Sequence, residues 1–365
     1  MIKKPKILVC INKLGGSAGV GGAERLVVDD INEMLRRGIT VKLLTLRGES
    51  VFSLGNECLL NQGDWQTIDF QSFYNISDWI KVYSFVKREK PDLVLTHLWF
   101  SNTIMRIVCK IAGMKNVISF EQNIYDTIKT EKMYFVDRVL QNYCKKIVAV
   151  SSAVSDSLIS HGIKKGKIVV INNAIDIAKY NTESDYHLKK EIGIPENSFV
   201  FLTVGRLIPQ KGIDILLNAF ARLSGDVCLL IIGQGFDEMK LKDLTRELGI
   251  ENKVHFLGGR KDVPAILAIS HVFVLASRHE GLSLALLEAM ASKKAIVISD
   301  FEGGKEMIAD GKEGLVVEKE NVESLREALN KLATDSTLRL KLASGAYEKV
   351  QEFSIQNHVD KILSL

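Results

Sequence analysis

Short, continuous apolar runs alternate with amphipathic segments along most of the chain. Such runs are typical of strands that are buried on both faces of a parallel sheet. Several of the segments between them place apolar residues three and four positions apart, as amphipathic helices do. The alternation therefore predicts an α/β protein with parallel, doubly wound sheets. Strands are predicted at residues 6–12, 40–46, 92–96, 116–120, 146–150, 167–171, 199–204, 227–232, 253–257, 272–276 and 295–299.

The length of the chain favours two domains, because one core rarely organises 365 residues. Polar stretches at 181–187 and 193–198 have the composition of a connection between domains. The first domain is predicted to span residues 1–175 and the second residues 176–345. Helices are predicted at residues 23–37, 101–112, 131–143, 321–333 and 336–353, and the tail 356–365 is also apolar at helical spacing.

The composition is that of an ordinary globular protein, with 46% hydrophobic and 25% charged residues. No apolar run reaches the roughly 18 residues of a membrane-spanning helix. The run at residues 7–11 is too short for the core of a signal peptide, so we expect a cytoplasmic protein. Five scattered cysteines without C-x-x-C spacing predict reduced thiols and argue against disulfides or a zinc site.

Positive charge is concentrated in the amino-terminal half. Residues 1–176 carry 24 Lys and Arg against 17 Asp and Glu, whereas the remainder carries 24 against 27. This asymmetry is either scatter over solvated faces or a contact with an anionic membrane leaflet or lipid diphosphate. Dense basic clusters with interleaved aromatics are absent from the sequence, which argues against nucleic acid binding. In the aromatic segment 71–90, Trp79, Tyr83 and Val86 recur at helical spacing, which favours core packing over a membrane-facing patch.

A glycine-rich loop follows the first predicted strand and precedes a predicted helix, which is the arrangement of a phosphate cradle. The glycines do not fit the dinucleotide pattern G-x-G-x-x-G, because Glu24 stands where the third glycine would fall after Gly19. Arg47, rather than an acidic residue, follows the second predicted strand. A nicotinamide site is therefore not expected.

The segment 277–290 is a predicted strand–loop–helix corner with two carboxylates, Glu280 in the loop and Glu288 in the helix. Gly281 permits a close turn, and Ser283 is a good N-cap, so the first-turn amides near Leu284 would point out of the helix start toward an anion. A buried carboxylate must find donors. Glu288 is therefore either half of a structural salt bridge or, with Glu280, an acceptor of sugar or ribose hydroxyls.

A second strand–loop–helix corner carries Arg206 and Lys211 in one loop after the predicted strand 199–204. A guanidinium and an ammonium together can neutralise a diphosphate. The chain contains no D-x-D triplet that would hold a divalent metal, so these cations would neutralise the phosphate charge without one.

Taken together, these motifs resemble those of the retaining glycosyltransferases of family 4. The resemblance rests on Glu280 and Glu288 with the surrounding Leu-Glu-Ala-Met sequence, and on the glycine, arginine and lysine of the 205–212 loop. It implies the GT-B fold, with two Rossmann-like domains facing a central cleft and a final helix, residues 346–365, that returns to the first domain. It further implies that Arg206 and Lys211 stabilise the departing nucleoside diphosphate.

The resemblance also implies roles for the remaining candidate residues. Glu280 would hold the donor sugar and Glu288 the ribose hydroxyls. His97 is a candidate for orienting the acceptor hydroxyl or the donor phosphate, although a structural histidine is an equal alternative. Gln122 and Asn123 would lie on the acceptor side, with Gln122 in the place of a common histidine. The remaining donor-binding candidates are Gly21, Gly22, Gly205, Gly233, Arg260, Gly281, Leu282, Ser283 and Leu284.

The expected reaction is transfer of a hexosyl or N-acetylhexosaminyl group from a nucleoside diphosphate sugar, with UDP preferred, to an acceptor hydroxyl on a polyprenyl-diphosphate-linked glycan. Neither cofactor nor metal is expected. Retention of configuration allows a covalent carboxylate intermediate or front-face attack, and the resemblance favours the latter. Two alternatives are a catalytically silent subunit, which Gln122 would favour, and a sugar-nucleotide epimerase of the same fold.

Overall fold

Two structural units divide the chain in a computed structural model that describes residues 4–15, 21–48, 54–122, 129–184 and 186–365. The first unit comprises residues 1–173 and 355–365, and the second comprises residues 174–354. The prediction had assigned residues 346–365 to the returning segment, but residues 346–354 lie in the second unit.

The first unit is built on a seven-stranded sheet in which every pairing is parallel. The strand order is β3-β2-β1-β4-β5-β6-β7, so the order reverses between β1 and β4. The strands are β1 Lys6–Ile11, β2 Thr40–Thr45, β3 Trp65–Thr67, β4 Leu93–His97, β5 Val117–Glu121, β6 Lys146–Ala149 and β7 Ile168–Val170. The helices are α1 Gly22–Arg36, α2 Ile76–Glu89, α3 Trp99–Ile111, α4 Glu131–Leu140 and α5 Ser152–Ser160.

The second unit contains a six-stranded parallel sheet in the order β10-β9-β8-β11-β12-β13, which reverses between β8 and β11. Its strands are β8 Phe199–Val204, β9 Val227–Ile232, β10 Val254–Gly258, β11 Val272–Leu275, β12 Ala295–Ser299 and β13 Leu315–Val317. Its helices are α6 Tyr186–Ile192, α7 Ile213–Phe220, α8 Glu238–Glu247, α9 Val263–Ile269, α10 Leu284–Ala291, α11 Glu302–Lys305, α12 Val322–Thr334 and α13 Ser336–Val350.

The central strands are buried on both faces, as continuous apolar runs predict. In β9 and β11, for example, every residue is buried. The two sheets and their helices confirm the predicted α/β class with two Rossmann-like, doubly wound units. The reversal in each strand order matters for function, because loops diverge there and leave a crevice at the carboxyl ends of the strands.

The last helix, α14 Ile355–Leu363, belongs to the first unit. Val359 and Ile362 join the apolar core that also contains residues of α1 and β1. Arg37, at the end of α1, contacts the Asp360 carboxylate at 2.5 Å and donates a hydrogen bond to the carbonyl oxygen of Gln356 at 2.8 Å. Both apolar packing and charge therefore hold α14 on α1.

Some elements differ from the prediction. Strands β3 and β13 and helices α5, α6, α8, α9 and α11 were not expected. The predicted packing of residues 71–90 is correct for Trp79, whose ring meets that of Phe70 at 5.2 Å, and for the buried Val86. It is wrong for Tyr74, which is 96% exposed. No helix within the described ranges has the length and apolar character to cross a bilayer.

Candidate functional site

Three loops of the second unit meet at the carboxyl ends of neighbouring strands. They follow β8, β9 and β11, and β8 lies between the other two strands in the sheet. The order of strands reverses between β8 and β11, which is the position where open α/β sheets bind ligands. The loops after β8 and β11 hold the predicted cations and the predicted Glu280.

Lys211 and Glu280 form an ion pair in this region. The Lys211 Nζ lies 2.5 Å from the Glu280 Oε1, and the two side chains are 14% and 9% exposed. The Ser277 hydroxyl donates to the same carboxylate oxygen at 2.5 Å. The fold thus brings together a cation and a carboxylate that lie 69 positions apart in sequence.

Backbone and side-chain hydrogen bonds fasten the loop after β8 to the loop after β11. The Arg278 amide donates to the carbonyl oxygen of Gln210 at 2.8 Å, and the side-chain amide of Gln210 donates to the carbonyl oxygen of His279 at 2.7 Å. Arg278 also binds both carboxylate oxygens of Asp214, at 3.0 and 2.8 Å. The position of Lys211 relative to Glu280 is therefore set by several contacts besides the ion pair itself.

Two glycines are required by close approach of the backbone. A Cβ atom on Gly233 would lie 1.8 Å from the carbonyl oxygen of Gly205, and the φ of Gly233 is +141°. A Cβ atom on Gly303 would lie 1.6 Å from the carbonyl oxygen of Gly281. Gly205, Gly233 and Gly281 are predicted donor-binding positions, and these contacts show that the loops bearing them pack tightly against their neighbours.

The start of α10 is the predicted anion site. Gly281, Leu282, Ser283 and Leu284 are all buried, and the first-turn N–H groups of the helix point away from its body. Ser283 occupies the N-cap position, but its hydroxyl makes no capping hydrogen bond, contrary to our expectation. The helix start therefore depends on its backbone, and not on a serine cap, for its geometry.

Glu288 lies in the second turn of α10 and is buried. It accepts a hydrogen bond from the Tyr180 hydroxyl at 2.9 Å. Tyr180 was not singled out from the sequence, since nothing in its neighbourhood indicates a partner 108 positions away.

The two predicted arginines differ in their surroundings. Arg206 is exposed on the loop after β8, in the same loop as Lys211. Arg260 is engaged by Asp262, with contacts of 2.8 and 2.6 Å to its two carboxylate oxygens. These hydrogen bonds lower the pKa of Asp262. A role of Arg260 in donor binding, as predicted, would have to operate with this pair in place.

Of the candidates in the first unit, His97 is the last residue of β4, and 1% of its surface is exposed. Its ring stacks on Phe120 at 4.3 Å, and its Nδ1 lies 3.4 Å from the side-chain amide nitrogen of Gln122. Burial, with a smaller effect from the nearby His358, lowers the pKa of His97 to about 3. The imidazole is therefore neutral near pH 7, where it can exchange hydrogen bonds but cannot neutralise a phosphate.

The other candidates in the first unit lie at the start of α1 and after the end of β5. Gly21 is at the N-cap position of α1, and Gly22 is the first residue of that helix. Gln122 directly follows β5. Asn123 lies outside the described residues. Within the described ranges, no group of three or more His, Cys, Asp or Glu side chains is arranged to hold a metal ion.

Two family models together match most of the chain. The model described as Glycosyltransferase Family 4 matches residues 20–179, and the model described as Glycosyl transferases group 1 matches residues 186–349. The chain belongs to the glycosyltransferases that these two models describe. The two matched ranges follow the two structural units except at residues 174–179, which match the first model and lie in the second unit.

This glycosyltransferase is similar to several bacterial enzymes. It is 29% identical to the Escherichia coli UDP-Gal:alpha-D-GlcNAc-diphosphoundecaprenol alpha-1,3-galactosyltransferase over 78% of each chain. It is 27% identical to the lipopolysaccharide core biosynthesis glycosyltransferase LpsE of Rhizobium meliloti, over 94% of this chain and 95% of that one.

Solved structures show the same fold. Alr3699/HepE of Anabaena, in complex with UDP and glucose, superposes with a TM-score of 0.87 at 22% identity over 99% of this chain and 98% of that one. WaaG, a glycosyltransferase of lipopolysaccharide biosynthesis, superposes with a TM-score of 0.75 at 19% identity, over 98% of each chain. At these identities the likeness concerns the fold alone, and it confirms the predicted GT-B fold class.

Proposed function

We propose that this glycosyltransferase moves a hexosyl or N-acetylhexosaminyl group from a UDP sugar to a hydroxyl of a lipid-linked glycan, with retained anomeric configuration and without a metal. The observation that carries the proposal is the Lys211–Glu280 pair, held at 2.5 Å where the strand order of the second unit reverses. A cation for the diphosphate and a carboxylate for sugar hydroxyls are the two groups that a nucleotide sugar needs at adjacent positions.

In the proposed reaction, the bond between the anomeric carbon and the diphosphate oxygen breaks, and its electron pair leaves with UDP. Arg206, Lys211 and the first-turn amides of α10 receive this negative charge. Preorganised donors of this kind contribute roughly 2 to 4 kcal/mol each. The acceptor oxygen bonds to the anomeric carbon, and in front-face attack its proton passes to the leaving phosphate.

The second unit would hold most of the donor, with Gly21 and Gly22 of the first unit as further donor contacts, and the first unit would hold the acceptor. Glu280 would accept hydrogen bonds from the donor sugar, and Glu288, kept in place by Tyr180, would accept those of the ribose. In the first unit, the neutral His97 and the adjacent Gln122 are suited to exchange hydrogen bonds with a hydroxyl. The neutrality of His97 argues against a role in proton uptake.

The choice of UDP and of a lipid-linked acceptor is supported by relatives. The similar E. coli enzyme is named for UDP-Gal and a diphosphoundecaprenol acceptor. A Campylobacter jejuni relative, 31% identical over 55% of this chain, is named for transfer to a diphospho-undecaprenol-linked sugar. Anabaena HepE binds UDP-glucose in its crystal structure.

Peripheral contact with an anionic membrane, at the cytoplasmic face, is part of the proposal. The loop before α2 and the first turns of that helix expose Tyr74, Ile76 and Ile80 by 96%, 73% and 58%. Lys81 and Arg88, on the same helix, are 58% and 60% exposed. Exposed apolar side chains next to cations are the combination that binds an interfacial lipid surface.

Incubation of the purified chain with a panel of UDP and GDP sugars, with and without a polyprenyl-diphosphate-linked acceptor, tests the proposal. We expect transfer from a UDP sugar, slow release of UDP without acceptor, and the same rates in EDTA. NMR of the product would show an α linkage from an α-configured donor. A silent subunit would release no UDP without a partner, and an epimerase would convert the donor when no acceptor is present.

A further inference from the structure

A closed cluster of four charged side chains lies inside the first unit, and none of the four is among the residues used above. It contains Glu121 at the end of β5, Arg106 of α3, Asp137 of α4 and Lys129, which precedes α4. All four side chains are at most 3% exposed. Nothing in the local sequence indicated this cluster, because its members are spread over 32 positions and pair only in the fold.

Lys129 connects the two carboxylates of the cluster. Its Nζ lies 2.9 Å from the Glu121 Oε2 and 2.9 Å from the Asp137 Oδ2. Arg106 donates to the Asp137 Oδ1 at 3.0 Å and to the Ser119 hydroxyl at 2.9 Å. The cluster therefore balances two cations against two carboxylates.

The charge balance gives Lys129 a specific task. Burial alone would lower the pKa of Lys129, but the Glu121 and Asp137 carboxylates outweigh burial and raise it. Loss of its ammonium would leave the cluster with an uncompensated negative charge in a place that water does not reach. Apolar side chains of similar volume often stabilise a core as well as a buried ion cluster does, so stability alone does not account for these four residues.

The geometry that the cluster fixes is that of the end of β5. The Glu121 side chain is held on one oxygen by Lys129 at 2.9 Å and on the other by the Asn102 amide at 3.1 Å. The next residue is Gln122, whose side-chain amide lies 3.4 Å from the His97 ring nitrogen. The position of the Gln122 amide beside His97 thus depends on a residue whose carboxylate is fixed by Lys129.

We propose that Lys129 is a positioning residue for acceptor binding, which acts by holding Glu121 so that Gln122 keeps its place beside His97. This inference rests on the proposed function, in which Gln122 and His97 face the acceptor. Lys129 itself contacts no substrate.

The experiment compares five variants of the full chain, the four that follow and the combination of Gln122→Ala with the double variant. Lys129→Met breaks the cluster, and Lys129→Met with Asp137→Asn breaks it while leaving one cation and one carboxylate. Gln122→Ala removes the positioned amide directly. Lys132→Met, an exposed lysine on α4, is the matched control. Each is measured for thermal unfolding, amide hydrogen exchange at the end of β5, UDP release without acceptor, and acceptor KM at saturating donor.

We expect the charge-balanced double variant to fold, to release UDP at the wild-type rate, and to show an acceptor KM raised by roughly ten- to a hundredfold, the range of loss caused by small displacements. Gln122→Ala should raise the acceptor KM by a similar factor, and combining it with the double variant should add nothing further. Hydrogen exchange near Gln122 should quicken in the double variant and not in the control.

A wild-type acceptor KM in Gln122→Ala would overturn the inference whether or not the Lys129 variants fold. Unchanged hydrogen exchange in the double variant would also overturn it. A fall in UDP release that parallels the loss of transfer would do the same, since the double variant would then impair the whole reaction and not acceptor binding alone. A wild-type chain that transfers no sugar would instead refute the proposed function, and the exchange measurement would still report whether Lys129 holds the strand end.

Discussion

The Lys211–Glu280 pair yields the sharpest test of the donor site, because its two members should act in opposite directions on nucleotide binding. In the free protein the ammonium contacts the carboxylate at 2.5 Å. In the proposed site Lys211 receives the diphosphate, whereas Glu280 receives sugar hydroxyls and competes with the diphosphate for the ammonium. Lys211→Met should therefore weaken the binding of UDP, and Glu280→Gln should not.

The size of each effect follows from the contacts. A hydrogen bond to a charged group is worth about 1.5 to 3 kcal/mol, so Lys211→Met should raise the Kd of UDP by roughly ten- to a hundredfold. Glu280→Gln keeps the shape of the side chain and removes its charge, so the Kd should stay the same or fall by up to about tenfold. Both variants should lower turnover by at least about a hundredfold.

Stability should change less than turnover. The two side chains are 14% and 9% exposed, which lies between a surface pair and a fully buried one. We expect Lys211→Met to cost about 2 kcal/mol of the free energy of unfolding, since surface pairs are worth up to 1 and broken buried pairs cost 3 to 5. Both variants should therefore remain folded at 25 °C, so that the loss of turnover can be measured on native protein.

Isothermal titration with UDP, followed by the rate of UDP release from the sugar nucleotide, measures both effects. The Lys242–Glu238 pair on α8, at 2.7 Å, provides the control, and Lys242→Met should change neither quantity. If Glu280→Gln weakened the binding of UDP as much as Lys211→Met does, the separate roles of the Lys211 cation and the Glu280 carboxylate would be refuted. Wild-type turnover in both variants would refute the site.

Three further predictions concern single groups. Tyr180→Phe removes the hydrogen bond to the Glu288 carboxylate, and thermal unfolding and donor kinetics should show a loss of about 1.5 to 3 kcal/mol of stability and a several-fold higher donor KM. A non-glycine residue in the left-handed region costs roughly 1 to 2 kcal/mol of the free energy of unfolding. Gly233→Ala should cost well over this amount in denaturant unfolding, because its Cβ would meet the carbonyl oxygen of Gly205. Gly249→Ala, at φ +66° with open space around it, should cost only this amount. The folded-state pKa of His97 is about 3 and the ordinary value is 6.5, so the unfolded chain alone gains this proton as the pH falls below 6.5. This group should then lower the free energy of unfolding by about 1.4 kcal/mol for each pH unit below 6.5. The slope of the free energy of unfolding against pH should be smaller in His97→Asn, and equal slopes in the variant and the wild type would contradict the lowered pKa of His97.

Much of the fold could be predicted because the central strands are buried on both faces and read as continuous apolar runs. Strands β8, β9 and β12 were predicted with the bounds that the structure has. The missed strands β3 and β13 are three residues long and lie at the edges of their sheets, where burial imposes little pattern. Helix α11 was missed because its four residues include two glycines, which favour a loop in isolation.

The candidate site could be predicted to the extent that its residues belong to local motifs. The loops that contain Lys211 and Glu280 each combine a strand end, glycines and a helix start, and such combinations are visible in sequence. The contact of Tyr180 with Glu288 and that of Arg106 with Asp137 join residues far apart in the chain, and no local pattern specifies them. Burial of His97 was likewise not visible, because it depends on Phe120 and on helix α14.

The Lys211–Glu280 pair and the buried cluster around Lys129 differ in exposure and in the number of carboxylates at the lysine. This difference explains why the pair is suited to bind a ligand and the cluster to hold a neighbouring residue in place. Lys211 has one carboxylate partner and is partly exposed, so an incoming diphosphate can share its ammonium with Glu280, whose carboxylate keeps the hydrogen bond from the Ser277 hydroxyl. Lys129 has two carboxylate partners and no exposure, so any anion that competed for it would strand both carboxylates out of water. Exposure and the number of partners therefore separate a cation that can receive a leaving group from one that can only hold a neighbouring residue in place.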